Sequence, residues 1–208
     1  MFDFKSVGGF IFDCDGTLLD TLGAWAEAER DLFAQAGPLT QEQEDEIHAA
    51  PIELAAEILH EKYGVGASGA DVLAHLDGYL VSYYGDASEP LPGAVEFVRA
   101  AREEGIPCVV VSSSPRRYLE AGLDRAGVLG CFEELISTDE AGVSKQDSAI
   151  YDIAVEKLGC ERQRVWAIDD APYAIAVMHD CGLRTVCVGD RESGDADINV
   201  RELTELLD

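Results

Sequence analysis

The chain has 208 residues, of which 41 are Asp or Glu and 15 are Lys or Arg, and its formal net charge is -26. A charge this negative argues against nucleic acid or an anionic membrane as a partner, because both are bound through basic surfaces. It also repels anionic substrates, so any phosphate site must contain a cation or a lysine of its own. The length suits a core domain with a smaller insertion.

Neither the N-terminal residues nor the cysteines indicate secretion. The first residues do not combine a basic region with an apolar one, as a signal peptide would, and no apolar segment approaches the length of a membrane span. The six cysteines are scattered, without a C-x-x-C pair or zinc-type spacing. We therefore expect a soluble, reduced, cytoplasmic protein.

An apolar run near the start of the chain ends in two closely spaced carboxylates. Residues 8–13 predict a strand that is buried on both faces, as in parallel sheets. Asp13 and Asp15 would then lie at its carboxyl end, where open α/β sheets bind ligands. Such a pair is tolerated when a metal ion or a shared proton offsets the charge. An ordinary turn is the alternative, because Asp, Gly and Thr are common turn residues.

From residue 21 to about residue 84, apolar residues recur at helical spacing. Gly37-Pro38 ends the first predicted helix, and Thr40 with Gln43 predicts a capping box at the start of the second. We expect four helices and no strand in this block. Its aromatic residues are interpreted as packing rather than as cofactor contacts: Trp25, Tyr79, Tyr83 and Tyr84.

From residue 92 onward, predicted helices and strands alternate. The helices are 92–104, 116–126, 148–158 and 173–180, the strands are 106–111, 134–137, 165–168 and 185–188, and a short last helix covers 202–207. Alternation of this kind predicts a parallel sheet with right-handed crossovers and helices on both faces. The fold class is therefore α/β, with a Rossmann-like parallel sheet and an inserted all-helical cap domain. We assign residues 1–20 and 86–208 to the core and 21–85 to the cap.

Polar residues follow other predicted strands and converge on the same sheet edge. Ser112-Ser113-Ser114 follows one strand, Asp169-Asp170 follows another, and Lys145 precedes the helix that leads into the latter strand. Each has an ordinary explanation by itself: a turn or helix cap for the serines and aspartates, and the surface for the lysine. Together with Asp13 and Asp15 they supply what phosphoryl transfer requires: carboxylates for attack and for a hard cation, and donors for the phosphoryl oxygens.

The chain resembles the haloacid dehalogenase superfamily, in particular the subgroup that includes β-phosphoglucomutase and phosphoglycolate phosphatase. The resemblance covers essentially the whole chain, and the helical insertion is similar to the cap of that subgroup. Four segments carry it, in the order of the superfamily's motifs: Phe12-Asp13-Cys14-Asp15-Gly16-Thr17-Leu18, Val109-Val110-Val111-Ser112-Ser113, Lys145 with Ile150-Tyr151, and Ile168-Asp169-Asp170-Ala171-Pro172. The proline that usually follows the lysine of the third motif is replaced by Gln146.

The resemblance implies roles for these residues. Asp13 would be the nucleophile that forms an aspartyl phosphate, and Asp15 would act first as general acid and then as general base. Mg²⁺ would be held by the side chains of Asp13 and Asp170 and by the backbone carbonyl of Asp15. Asp169 would be either a direct ligand or a residue that contacts a ligand. The phosphoryl oxygens would be bound by Ser112, by the backbone of Ser113 and Gly16, and by Lys145.

The implied activity is hydrolysis of a small phosphorylated metabolite by a monomer or weak dimer. Asp15 favours a phosphatase over a dehalogenase, because halide departure needs no acid. A phosphomutase is the first alternative, but His48-Ala49-Ala50-Pro51 replaces the Arg/Gly-bearing pattern of the sugar-phosphate mutases. A non-catalytic phospho-accepting module is the second, and both the cap and Asp15 argue against it.

Overall fold

The computed structural model describes residues 2–207, and within them six β-strands form one parallel sheet. The strands are β1 (Gly9–Phe12), β2 (Cys108–Ser112), β3 (Glu134–Ser137), β4 (Val165–Asp169), β5 (Arg184–Val188) and β6 (Ile198–Val200). Their order is β3-β2-β1-β4-β5-β6, and every neighbouring pair is parallel. The predicted Rossmann-like α/β fold is confirmed.

Nine α-helices accompany the sheet within the same described residues. Four lie between β1 and the next helix of the core: α1 (Leu22–Ala36), α2 (Gln41–Ala49), α3 (Ile52–Tyr63) and α4 (Gly69–Asp86). The others are α5 (Ala94–Glu103), α6 (Arg116–Arg125), α7 (Thr138–Ala141), α8 (Ala149–Leu158) and α9 (Pro172–Asp180). None of these helices has the length and apolar character needed to cross a bilayer.

The sheet separates two apolar clusters, because alternate side chains of a strand point to opposite faces. Phe10 and Phe12 of β1 pack in one cluster with Phe97 of α5. Ile11 packs in the other with Ile150 of α8 and Ile175 of α9. All four residues of β1 are buried, as the continuous apolar run predicts.

The central position of β1 brings three strand ends together. Phe12 pairs with Val110 of β2 on one side and with Ile168 of β4 on the other. The next residue, Asp13, donates its backbone N–H to the Ile168 carbonyl at 2.9 Å. The residues that follow β1, β2 and β4 therefore lie side by side at one edge of the sheet.

Helices α1–α4 pack mainly on one another, and α4 also contacts α6 of the core. The capping box at α2 is present: Gln43 N donates to Thr40 Oγ1, and Thr40 N donates to Gln43 Oε1. Gly37 ends α1 at φ 84°, a left-handed conformation that favours glycine. The absence of a strand between residues 21 and 85 is confirmed within this described segment, whereas the domain boundaries stay a prediction.

Three short elements differ from the sequence prediction. The last predicted helix, 202–207, is a 3-10 turn at Leu203–Leu206, and β6 and α7 were not predicted. β6 has only three residues and is incompletely buried at the sheet edge, so it carries no apolar run. α7 is a single turn of four residues. Periodicity needs a longer segment than these elements provide.

Candidate active site

Lys145 is a buried residue that lies between two carboxylates. Its side chain is only 4% exposed, and Nζ lies 2.8 Å from Asp13 Oδ1 and 2.6 Å from Asp169 Oδ2. Burial would lower the pKa of Lys145, but Asp13 and Asp169 raise it well above its usual value. The lysine is therefore a charged group of the site rather than a surface residue, and it supplies the local positive charge that a phosphate needs.

Asp13, Asp169 and Asp170 form a cluster whose ligand oxygens all lie within 4.8 Å of one another. Burial raises the pKa of Asp13 well above its usual value. The charge of Lys145 lowers this pKa, and the neighbouring carboxylates raise it further. Burial and Asp169 together raise the pKa of Asp170 to about 6. Lys145 and, at 3.5 Å from Asp170, Arg191 offset part of the negative charge of this cluster, whose donor atoms are all carboxylate oxygens. Such a set fits a hard divalent cation such as Mg²⁺.

Asp15 has different surroundings, because within residues 2–207 its carboxylate accepts side-chain hydrogen bonds from hydroxyl groups only. Thr21 Oγ1 donates to Oδ1 at 2.5 Å, and the Tyr84 hydroxyl donates to the same oxygen. Ser114 Oγ donates to Oδ2 at 2.6 Å, with Ser112 Oγ more distant at 3.4 Å. A hydroxyl can accept as well as donate, so this network can hold Asp15 both as a carboxylate and as a protonated acid.

Sequence reasoning missed three of these contacts with Asp15: Thr21, Tyr84 and Ser114. Tyr84 was interpreted as packing, and its ring does stack on Tyr118 at 5.1 Å between centroids. Its hydroxyl, however, accepts a hydrogen bond from Trp25 Nε1 at 2.7 Å and donates one to Asp15 Oδ1. Thr21 could have been found from its position three residues after the first motif, and Ser114 from the serine run. Nothing in the sequence marks Tyr84.

The serines after β2 and the glycine after Asp15 differ in what they offer a ligand. Ser113 Oγ is buried and has no hydrogen-bond partner among residues 2–207. Gly16 has φ 83°, and a Cβ there would lie 2.9 Å from Asp170 Oδ2, so the position requires glycine. Its N–H donates to the Leu19 carbonyl at 2.9 Å. Contact between Gly16 and a phosphoryl oxygen therefore stays a prediction.

A cavity of about 370 Å³ lies between this edge of the sheet and helices α1–α4. Of the eight site residues predicted from the sequence, all except Gly16 line it. The opposite wall consists of residues from α1, α2 and α3, together with Leu76 of α4. The structure thus brings the predicted residues of three strand ends and the Lys145 loop to one cavity.

The sequence model of the haloacid dehalogenase-like hydrolases matches residues 7–182 of the chain, which contain all eight site residues predicted from the sequence. The chain belongs to the haloacid dehalogenase-like hydrolase family. The family and enzyme class predicted from the sequence are therefore confirmed.

Relatives and solved structures match over nearly the whole chain. Validoxylamine A 7'-phosphate phosphatase of Streptomyces hygroscopicus subsp. limoneus is 29% identical over 203 residues, covering 94% of each chain. Hexitol phosphatase B of Escherichia coli (strain K12) is 25% identical over 205 residues, covering 94% of this chain and 92% of that protein. CbbY from Rhodobacter sphaeroides, solved in complex with phosphate, superposes with a TM-score of 0.79 at 21% identity, covering 96% of each chain. β-Phosphoglucomutase from Clostridium difficile has the same TM-score and identity, covering 96% of this chain and 93% of that one. These two structures are similar in fold.

Proposed function

We propose that the protein is a Mg²⁺-dependent phosphatase that hydrolyses a small phosphorylated carbohydrate through an aspartyl phosphate on Asp13. One observation carries the proposal: the two aspartates of the first motif have different partners. Asp13 pairs with Lys145 within a cluster of carboxylates, whereas the side-chain hydrogen bonds that Asp15 accepts in the described chain all come from hydroxyl groups. This arrangement suits one carboxylate that attacks phosphorus and a second that moves a proton. The similarity to named phosphatases supports the same reaction.

In the first half-reaction, a carboxylate oxygen of Asp13 attacks the phosphorus atom. The bond between phosphorus and the ester oxygen breaks, and Asp15 donates its proton to that departing oxygen. The products of this step are the free alcohol and an acyl phosphate on Asp13. The hydroxyls of Thr21 and Ser114 keep the Asp15 carboxyl in place while its protonation changes.

In the second half-reaction, Asp15 accepts a proton from a water molecule, and that water attacks the phosphorus of the acyl phosphate. The bond between phosphorus and Asp13 breaks, phosphate leaves, and Asp15 is again protonated. The same carboxyl group therefore serves as acid and then as base, and the cycle needs no other proton carrier.

The transferring oxygens need donors, and the core supplies them. We assign this role to Lys145, Ser112 and Ser113, because the buried Ser113 Oγ has no other partner among the described residues. An unsatisfied buried hydroxyl costs about 1–3 kcal/mol, which a phosphoryl oxygen would recover. Asp169 accepts from Lys145 at Oδ2 and from Ala171 N at Oδ1. We therefore assign Asp169 to positioning Lys145.

Asp13, Asp170 and the backbone carbonyl of Asp15 would hold the metal ion. A bound Mg²⁺ would offset the charge of the phosphoryl group and of the surrounding carboxylates. Arg191 Nη2 lies 3.5 Å from Asp170 Oδ2 and would keep that side chain directed towards the cluster.

Neither alternative has an observation that favours it. A phosphomutase must bind a substrate with two phosphates at some stage, and no Lys or Arg from helices α1–α4 lines the cavity in the described structure. A non-catalytic phospho-accepting module has no use for a cavity faced by four inserted helices or for a second carboxylate beside the first.

The direct test is turnover of p-nitrophenyl phosphate and of a panel of sugar, hexitol and glycolate phosphates, with Mg²⁺ and with a chelator. We expect Mg²⁺-dependent release of phosphate, and loss of all activity in Asp13→Asn. Acid quench followed by borohydride should convert Asp13 to homoserine, which mass spectrometry detects. No turnover of any ester would overturn the proposal. Conversion of glucose 1-phosphate to the 6-phosphate, with no free phosphate, would replace it with the mutase.

A further inference from the structure

The wall of the cavity that faces the phosphoryl site is negatively charged. Glu29 of α1 and Glu44 and Asp45 of α2 line it, and His48 is the one basic residue that the described part of α1–α4 contributes. The other basic residues of the lining, Lys145 and Arg191, belong to the core and are themselves paired with carboxylates, Lys145 with Asp13 and Asp169 and Arg191 with Asp170. The organic part of a bound phosphoester would therefore lie among carboxylates.

Glu29 is buried to an extent that is unusual for a carboxylate. The residue is only 8% exposed, in a helix whose other buried residues are apolar. Its Oε2 lies 3.2 Å from His48 Nε2, and its Oε1 accepts no hydrogen bond from any residue between 2 and 207. Because Glu29 also lines the cavity, this oxygen is available to accept a hydrogen bond from a donor on a ligand.

His48 offsets only part of this negative charge. Burial would lower the pKa of His48, but the hydrogen bond and charge of Glu29, together with Glu44 and Asp45, raise it above its usual value. A protonated His48 balances Glu29, and the charges of Glu44 and Asp45 remain. The wall is therefore negative even when the histidine is charged.

We propose that this wall selects a phosphorylated carbohydrate that carries a basic amine and rejects one that carries a second anionic group. The inference rests on the proposed phosphatase function and names Glu29 as the specificity-determining residue. An ammonium group would donate to the free oxygen of Glu29, and such charge-assisted hydrogen bonds are about twice as strong as neutral ones. A second phosphate or a carboxylate would instead face three carboxylates. A cavity of about 370 Å³ is within the size range of small-molecule sites.

Three substrates that differ in charge test the inference. Glucosamine 6-phosphate, glucose 6-phosphate and 6-phosphogluconate share six carbons and a phosphate on C6, and they carry respectively an amine at C2, neutral hydroxyls only, and a carboxylate at C1 that leaves the chain open. At neutral pH we expect kcat/KM to fall in that order, by about tenfold at each step and mainly through KM. An amine that gives no advantage over the hydroxyl, or a carboxylate that costs nothing, would overturn the inference.

Turnover of p-nitrophenyl phosphate separates this outcome from failure of the proposed function. If that ester is hydrolysed but the three sugar phosphates are used equally, or not at all, the phosphatase stands and the specificity inference falls. If no ester is hydrolysed in the presence of Mg²⁺, the proposed function falls and the specificity inference falls with it.

Substitution of Glu29 links the preference to one residue. Glu29→Gln keeps the shape and removes the charge, so the advantage of glucosamine 6-phosphate over glucose 6-phosphate should disappear. Glu61→Gln, on the exposed surface of α3, is the matched control and should keep that advantage. Should the Glu29 variant fail to fold, Glu44→Gln at a half-buried position of the same wall should reduce the ratio in the same direction. An unchanged ratio in a folded Glu29→Gln protein would overturn the inference.

Discussion

The hydroxyl of Tyr84, near the end of α4, donates a hydrogen bond to Asp15 Oδ1 across 69 positions of sequence. Because the same hydroxyl accepts from Trp25 Nε1 at 2.7 Å, its proton is directed towards the carboxylate. Burial and the charge of Asp15 raise the pKa of Tyr84 well above its usual value, so it stays a donor at neutral pH. The carboxyl group proposed to move the proton is thus held partly by the helices above the sheet.

Removing this hydroxyl tests whether it contributes to catalysis. In Tyr84→Phe the Asp15 carboxylate loses one donor and Trp25 loses its acceptor, so the carboxyl is less well positioned. We expect kcat for a sugar phosphate to fall by about tenfold, with a smaller change in KM, and the free energy of unfolding to fall by about 1–2 kcal/mol. Steady-state kinetics and denaturant unfolding measure the two effects.

Tyr79→Phe is the matched control for Tyr84→Phe. Tyr79 is also on α4, but it is 41% exposed, and its hydroxyl has no hydrogen-bond partner within the described chain. Its substitution should leave kcat and stability at the wild-type values. Equal kinetics in the two variants would show that the Tyr84 hydroxyl only stabilises the fold.

Asp15→Asn should affect substrates according to their leaving groups. A sugar alkoxide needs a proton as it departs, whereas p-nitrophenolate does not. We expect the first half-reaction to slow by about 10²–10⁴-fold for a sugar phosphate and much less for p-nitrophenyl phosphate. Because the amide cannot activate water, p-nitrophenol should appear as a burst equal to the enzyme concentration. Stopped-flow absorbance measures that burst, and its absence would remove Asp15 from the second step.

The sequence predicted the residues at the strand ends because they depend only on strand order and direction. Asp13 and Asp169 follow parallel strands that are neighbours, so their approach requires no knowledge of side-chain packing. The hydroxyl of Tyr84 is different. Its position depends on how α4 packs beside α1 and above the sheet edge, and a tyrosine in an apolar stripe looks the same whether or not its hydroxyl reaches a carboxylate. The pairing of Glu29 with His48 depends on helix packing in the same way.

Lys145→Met should destabilise the protein more in a chelator than in Mg²⁺. The buried lysine offsets the charges of Asp13 and Asp169, and removing one partner from a buried ionic group costs about 3–5 kcal/mol. A divalent cation bound to Asp13 would restore part of the lost compensation. The rise in Tm on addition of Mg²⁺ should therefore be larger in the variant than in the wild type. An equal rise in both would mean that the lysine and the metal ion do not share the same carboxylates.

The raised pKa of Asp170 predicts how the stability of the protein and its binding of Mg²⁺ depend on pH. Its folded-state pKa of about 6 lies above the ordinary value of 3.8, so the folded state favours the protonated form. Without metal, stability due to this group is greatest below about pH 3.8 and falls as the pH rises through 6, with a total cost of at most about 3 kcal/mol. Mg²⁺ requires the ionised form, so the Tm increase it produces should grow as the pH rises through 6.

Asp170→Asn separates the two parts of that prediction. The amide cannot ionise, so in a chelator above pH 6 the variant should be more stable than the wild type. It also offers a weaker ligand, so Mg²⁺ should raise its Tm little at any pH. Thermal melts at several pH values, with Mg²⁺ and with a chelator, measure both effects. A variant that is less stable than the wild type in the chelator would show that the neighbours of the Asp170 carboxylate do not destabilise it, and a variant that keeps the full response to Mg²⁺ would show that this carboxylate is not a ligand.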